Sequence, residues 1–269
     1  MQSIIGLSAI ALYLLATLAA VAHFRKLAHA QTSSKTPLLT LWGAAVVLHG
    51  ITLYLQIMTP SGVNLAFFHA LASVALLVAA IVWATAIRRP LENLAFIVLP
   101  IAAISLVLNQ VMPNHFVIAA PADSSLQVHI LISLLAYSLL SIAALQAMVL
   151  AVQDRQLHSH RPAGLIRVLP PLQWMEHLLF QLITAGFVLL TLALLTGFVF
   201  LQDIFAQHLV HKTVLSIVAW FVFATLLLGR WRFGWRGRTA IRWTLGGVLA
   251  LMLAYFGSKL VLELILHRA

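Results

Sequence analysis

The chain contains no cysteine, which excludes disulfides, thiolate metal sites and thiol–disulfide exchange by its own side chains. Acidic residues are almost as scarce, with six Asp and Glu in 269 residues. Charged residues of both signs make up 8% of the chain against 62% hydrophobic, too little polar surface to clothe a soluble core. No Asp, Glu, Lys or Arg lies near the middle of a long apolar run. A proton-coupled pump or cation channel would place carboxylates there, so that class is disfavoured. No nucleophile, carboxylate pair or cofactor motif stands out, so an enzyme in the usual sense is not expected. A long hydrophilic insert and a linker are also missing, and the expectation is one transmembrane domain over residues 1–269.

What is present is a series of apolar runs. A helix needs roughly 20 apolar residues to cross the hydrocarbon layer. Eight stretches qualify: 3–22, 37–58, 64–87, 91–111, 125–153, 177–201, 212–229 and 240–263. The fold expected is an all-α polytopic membrane bundle of about eight transmembrane helices. The fourth run contains Pro100, which predicts a kink or an irregular crossing. Nothing basic precedes the first run and Arg25-Lys26 follow it, the reverse of a cleaved signal peptide, so it reads as a retained helix.

The cations are clustered. Of the 16 Lys and Arg residues, 13 fall in Arg25/Lys26/Lys35, Arg88/Arg89, Arg155/Arg161/Arg167 and Arg230/Arg232/Arg236/Arg238/Arg242. These four connectors hold only Glu92, Asp154 and Glu176 as acids, whereas elsewhere Lys212, Lys259 and Arg268 balance Asp123, Asp203 and Glu263. The positive-inside rule then predicts basic connectors in the cytoplasm and both chain ends outside, in a bacterial inner membrane. The partner implied is the lipid bilayer and not nucleic acid, because the cations are not gathered on one soluble face. The five-arginine connector reads first as a topology anchor, and second as a contact for anionic lipid or a partner.

Polar residues inside apolar runs are costly and mark candidate sites. His49 is the central ionisable group, and Trp42, His49 and Gln56 recur every seven residues with Thr52 nearby. That stripe should face neighbouring helices, whether as a hydrogen-bonded packing histidine or as a site. His129 begins a second stripe, with Ser133, Tyr137 and Ser141 following at steps of four. It too should face partners and not lipid, either as an interfacial anchor or as an axial ligand. Gly247, Ala250, Ala254, Gly257 and Ser258 predict a close-packed helix seam. His208 and His211 stand three apart in what reads as a loop and make a weak metal pair.

Several stretches are more specific. His211-Lys212 leads through Ser216 to Trp220, the next run ends in the segment Arg230–Arg238, and the last run holds Ala254-Tyr255-Phe256-Gly257. Upstream lie Leu169-Pro170 to Leu172, Leu189 to Thr191, Thr196-Gly197, Val128-His129 to Tyr137-Ser138, and Pro60-Ser61-Gly62 to Leu65. In this order, over about residues 60–260, they resemble the CcsA-type cytochrome c assembly family of haem-handling membrane proteins. The resemblance implies that His129 is the first outward-facing histidine and that Lys212 keeps the family's lysine position. His267 falls one residue from the place of the second histidine and lacks its Gly-Leu-His flank.

The family's tryptophan-rich loop is absent here. The connector from Gln202 to Lys212 is shorter and contains no tryptophan. In that respect the chain resembles a shorter branch, the YpjD-like inner-membrane proteins. The resemblance implies haem as cofactor, with His129, His267 and Lys212 as candidate binding residues, to which the polar stripe of the second run adds His49, and with His129 and His267 as candidate iron ligands. Lys212, Lys259 and Arg268 would be the outer cations available to propionates. Two functions are expected in order: haem handling in cytochrome c assembly, or a non-haem membrane partner that supports another complex such as an ion transporter.

Overall fold

The computed structural model describes residues 2–29, 31–59, 62–64, 66–112, 117–119, 124–158, 169–200 and 207–257. Eight helices account for nearly all of them: α1 (Gln2–Ala28), α2 (Thr36–Ile57), α3 (Phe67–Arg88), α4 (Ala95–Val111), α5 (Ser124–His158), α6 (Leu172–Phe200), α7 (Gln207–Phe233) and α8 (Gly237–Met252). All eight are long and apolar enough to cross a membrane, α4 together with a preceding 3-10 turn (Glu92–Leu94) and α8 together with a π-helical turn (Leu253–Gly257). The all-α polytopic expectation holds. The chain divides into two compact units, Met1–Ala120 with Arg155–Pro171, and Pro121–Asp154 with Leu172–Ala269.

In the N-terminal unit α1 packs on α2 and α4, and α3 packs on α2 and α4. Helix α1 shows why: Ala9, Tyr13, Ala16, Ala20 and Phe24 form one buried stripe at steps of three and four. Three of the five are alanines, so the helix backbones approach closely without needing a solvent-driven core. The opposite face, with Ile4, Leu7, Leu14 and Leu18, is exposed and equally apolar. A helix apolar on all sides belongs in lipid. Gly43 of α2 lies under the Trp83 ring of α3, whose indole N–H donates to the Leu39 carbonyl at 2.8 Å.

Pro100 lies inside α4 without ending it. The irregular backbone expected there instead precedes the helix, in the 3-10 turn. The connectors at one end of this unit form a small sheet that periodicity does not predict. Strands β1 (Met58–Thr59), β2 (Gly62–Asn64) and β3 (Val117–Ala119) pair antiparallel in that order. Met58 faces Val63, and Val63 in turn faces Ile118. Backbone N–H and C=O groups emerging from helices at a membrane boundary need partners, and these two connectors supply them to each other. The Asn64 side chain then accepts the Ala66 N–H at 3.2 Å as α3 begins.

In the C-terminal unit α7 packs on α6, α8 and the π-helical turn. Of the seam predicted on the last run, Gly247 and Ala254 are buried, Ala250 and Gly257 are half-buried and Ser258 lies outside the described residues; Gly247 lies directly under the Phe223 ring of α7. Helix α5 meets α6 in the same way, with Gly186 beneath Leu140. The unit's core is Leu140, Ala143, Ala147 and Leu150 of α5, with Leu179, Ile183, Phe223 and Leu226 from α6 and α7.

Candidate functional site

Both predicted stripes face inward, each within its own unit. In the N-terminal unit Trp42, His49 and Thr52 of α2 are fully buried. The Tyr13 hydroxyl of α1 lies 3.1 Å from His49 Nδ1, with the rings edge to face. Among the described residues His49 Nε2 has no hydrogen-bond partner. One helical turn past Thr52, the Asn109 amide of α4 donates to Gln56 Oε1 at 2.6 Å. His49 is therefore enclosed by protein on all sides.

In the C-terminal unit the stripe on α5 engages two helices. The Tyr137 hydroxyl donates to the Leu251 carbonyl at 2.6 Å, where α8 passes into its π-helical turn. Tyr255 and Phe256 of that turn pack on the Tyr137 ring at 5.6 and 6.2 Å between centroids. π-helical turns recur at functional sites, and here the turn places two aromatic rings against the stripe. Two helical turns from Tyr137, about 12 Å along α5, His129 is half-buried, with Nδ1 3.0 Å from the Thr196 hydroxyl of α6.

The Thr196 contact places a proton on His129 Nδ1. Thr196 Oγ1 lies 2.8 Å from the Leu192 carbonyl and 3.0 Å from that of Ala193. Carbonyl oxygens accept and never donate, and oxygens this close without a proton between them would repel. The hydroxyl proton is therefore committed to the α6 backbone. The proton between Thr196 and the ring must then come from His129 Nδ1. In neutral imidazole that leaves Nε2 with its lone pair, the form that ligates a metal.

A second α6 threonine is used in the same way. Thr191 donates to the Phe187 carbonyl at 2.8 Å and accepts the Trp220 indole N–H of α7 at 2.9 Å. Spacing singles out neither threonine. Their signal in the sequence is that no other polar side chain occurs between residues 185 and 200.

Lys212 is half-buried and sits inside α7, which begins at Gln207. The loop expected for His208 and His211 is thus helix. His267, Lys259 and Arg268 lie outside the described residues. Among the described residues no three His, Cys, Asp or Glu side chains gather to hold a metal ion. A group that brings its own equatorial ligands and takes one imidazole fits the donor set, and a porphyrin iron is such a group.

This organisation is that of a polytopic helical membrane protein of the cytochrome c assembly type. The chain belongs to that family: the cytochrome C assembly protein model matches residues 38–266. It is 39% identical over 223 residues to the inner membrane protein YpjD of Escherichia coli strain K12, covering 82% of this chain and 84% of that one. An uncharacterised 28.8 kDa protein of Azospirillum brasilense is 38% identical over 143 residues, 52% of this chain and 53% of the other. The cytochrome c biogenesis protein CcsA of Prochlorococcus marinus is 29% identical over 89 residues, 32% of this chain and 28% of its own. No solved structure matches the chain.

Proposed function

We propose that this protein handles haem in the bacterial inner membrane, contributing to cytochrome c assembly with His129 as an iron ligand. The carrying observation is the committed Thr196 hydroxyl, which requires a proton on His129 Nδ1 and so leaves Nε2 as the ligating nitrogen of the neutral ring. Bound haem would supply an iron centre whose axial positions accept imidazole nitrogen. The chain's own residues do the rest. Thr196 orients the ligand, and Tyr137, Tyr255 and Phe256 form an aromatic wall further along α5. The charge pattern supports an orientation with both chain ends outside, which would put His129 toward the outer surface. Lys212 holds the family's lysine position at that end of α7, and His267 is the second ligand the family resemblance implies.

One observation favours a second reading, a non-haem partner of another membrane complex. The connector between α6 and α7 holds no tryptophan and has no room for the family's long loop. An absorption spectrum of the purified protein, oxidised and reduced, separates the two. A near-stoichiometric haem band that shifts or disappears in His129→Ala is the expected result. A colourless wild type that takes up no added haem would end the haem reading and leave the partner reading.

A further inference from the structure

The turn joining α7 to α8 carries Arg230, Arg232, Arg236, Arg238 and Arg242. Topology alone demands positive charge at such a turn, not order, and does not discriminate lysine from arginine. Here all five are arginine and the turn is built. Trp235 folds back over Gly229 so closely that a Cβ there would stand 2.3 Å from its ring, and it stacks on toward Trp243 at 5.5 Å. Gly234 and Gly237 take positive φ values of 67° and 52° that side chains with a Cβ rarely adopt. Arg230 crosses beneath, donating to the Trp235 carbonyl at 3.2 Å and to Glu176 at 3.4 Å, with its guanidinium 4.6 Å from the Phe180 ring centre.

The two carboxylates near this turn are already engaged. Glu176 pairs with Arg230 and, at 3.9 Å, Arg236; Asp154 pairs with Arg238 at 3.0 Å. Arg232 and Arg242 are exposed and, among the described residues, make no ion pair. Between and beside them project Trp231 and Phe233, 82% and 74% exposed. A tryptophan that protrudes at a helix end belongs at headgroup depth, where an apolar ring and a polar edge are both satisfied. Guanidinium forks match phosphate oxygens in pairs, as an ammonium does not.

We infer that the α7–α8 turn is a binding surface for anionic phospholipid headgroups, with Arg232 and Arg242 gripping the phosphates and Trp231 and Phe233 setting the depth. Free phosphate would find the same guanidinium forks but gain nothing from the two rings, so the lipid is the occupant. The ordered core of the turn (Trp235, Trp243, Glu176 and Arg230) fixes the backbone from which these side chains project, and Phe233 also stacks on Trp235 at 6.4 Å between ring centres.

The test is native mass spectrometry on the full chain, purified in mild detergent, delipidated and titrated with phosphatidylglycerol or phosphatidylcholine. Phosphatidylglycerol should be retained and phosphatidylcholine should not. Removing one arginine should weaken retention about five-fold, and Arg232→Gln with Arg242→Gln more than either alone. Trp231→Ala with Phe233→Ala should weaken it as well while leaving the charge untouched. Arg25→Gln with Lys26→Gln, an exposed pair removed from another basic connector, should leave retention unchanged. Equal loss in that control, equal binding of both lipids, or inorganic phosphate competing as well as phosphatidylglycerol would each overturn the inference. All variants are exposed and should keep the wild-type melting temperature; if Arg232→Gln/Arg242→Gln does not, single substitutions read the same retention.

Discussion

Each unit of the protein buries a histidine stripe, and the two units treat it in opposite ways. His49 is sealed: no part of its surface is exposed, Tyr13 meets one nitrogen, and the other finds no partner among the described residues. His129 is half-open, with its Nδ1 proton committed to Thr196. The same side chain is thus fully enclosed in one place and half-buried in the other. What separates them is not burial alone but which atom the neighbours occupy. A ligand histidine needs one nitrogen tied and the other left free to be approached, and at residue 129 the Thr196 hydroxyl ties the first.

The largest expected effect tests that contrast directly. His129→Ala should abolish the haem band and shift the melting temperature little, since the side chain is only half-buried. Thr196→Val comes next: it keeps the shape and removes the acceptor, so haem affinity should fall about 10–100-fold, as other supports of metal ligands do. Thr196→Ser should restore it, and nitrogen NMR of the imidazole should show the Nδ1–H tautomer in wild type and lose it in the valine variant. His49→Ala should do the reverse of His129→Ala. It should cost about 1–3 kcal/mol of stability by leaving Tyr13 unpaired and should leave the spectrum unchanged; a lost haem band would erase the distinction between the two histidines.

Smaller effects sharpen the comparison at the level of packing. Gly43→Ala drives a Cβ to 2.7 Å from a Trp83 ring that is pinned to Leu39 by its indole N–H. Gly186→Ala meets Leu140 at a similar distance, but an aliphatic side chain yields more easily. Thermal unfolding should therefore show Gly43→Ala as the costlier, with overpacking worth about 1–3 kcal/mol and Gly186→Ala at the low end. Asp154→Asn should be nearly silent in the same assay, because its partner Arg238 is mostly exposed and such pairs contribute about 0–1 kcal/mol.

Much of this architecture is readable in the residues. The apolar runs mark all eight helices because lipid forces every backbone group into internal pairing, which makes hydropathy a direct record of structure. The stripes at His49 and His129 point inward for the same reason that they are visible: an isolated polar residue in hydrocarbon must find protein. The small sheet is not readable. Its strands are two or three residues long, too short for any period, and β3 joins β2 from across two helices. The Thr196 contact is also hidden, since nothing in the spacing of α5 says which α6 hydroxyl stands opposite, or that its proton is already spent on Leu192.

The π-helical turn after α8 has a consequence for how such chains tolerate changes in length. A wider turn takes up one residue beyond the α-helical count, so it absorbs a single-residue insertion locally and delays the angular phase of the residues beyond it by about 100°. A single-residue insertion in this last helix can thus be held at Leu253–Gly257, with the Tyr137 hydroxyl anchoring the Leu251 carbonyl at its edge.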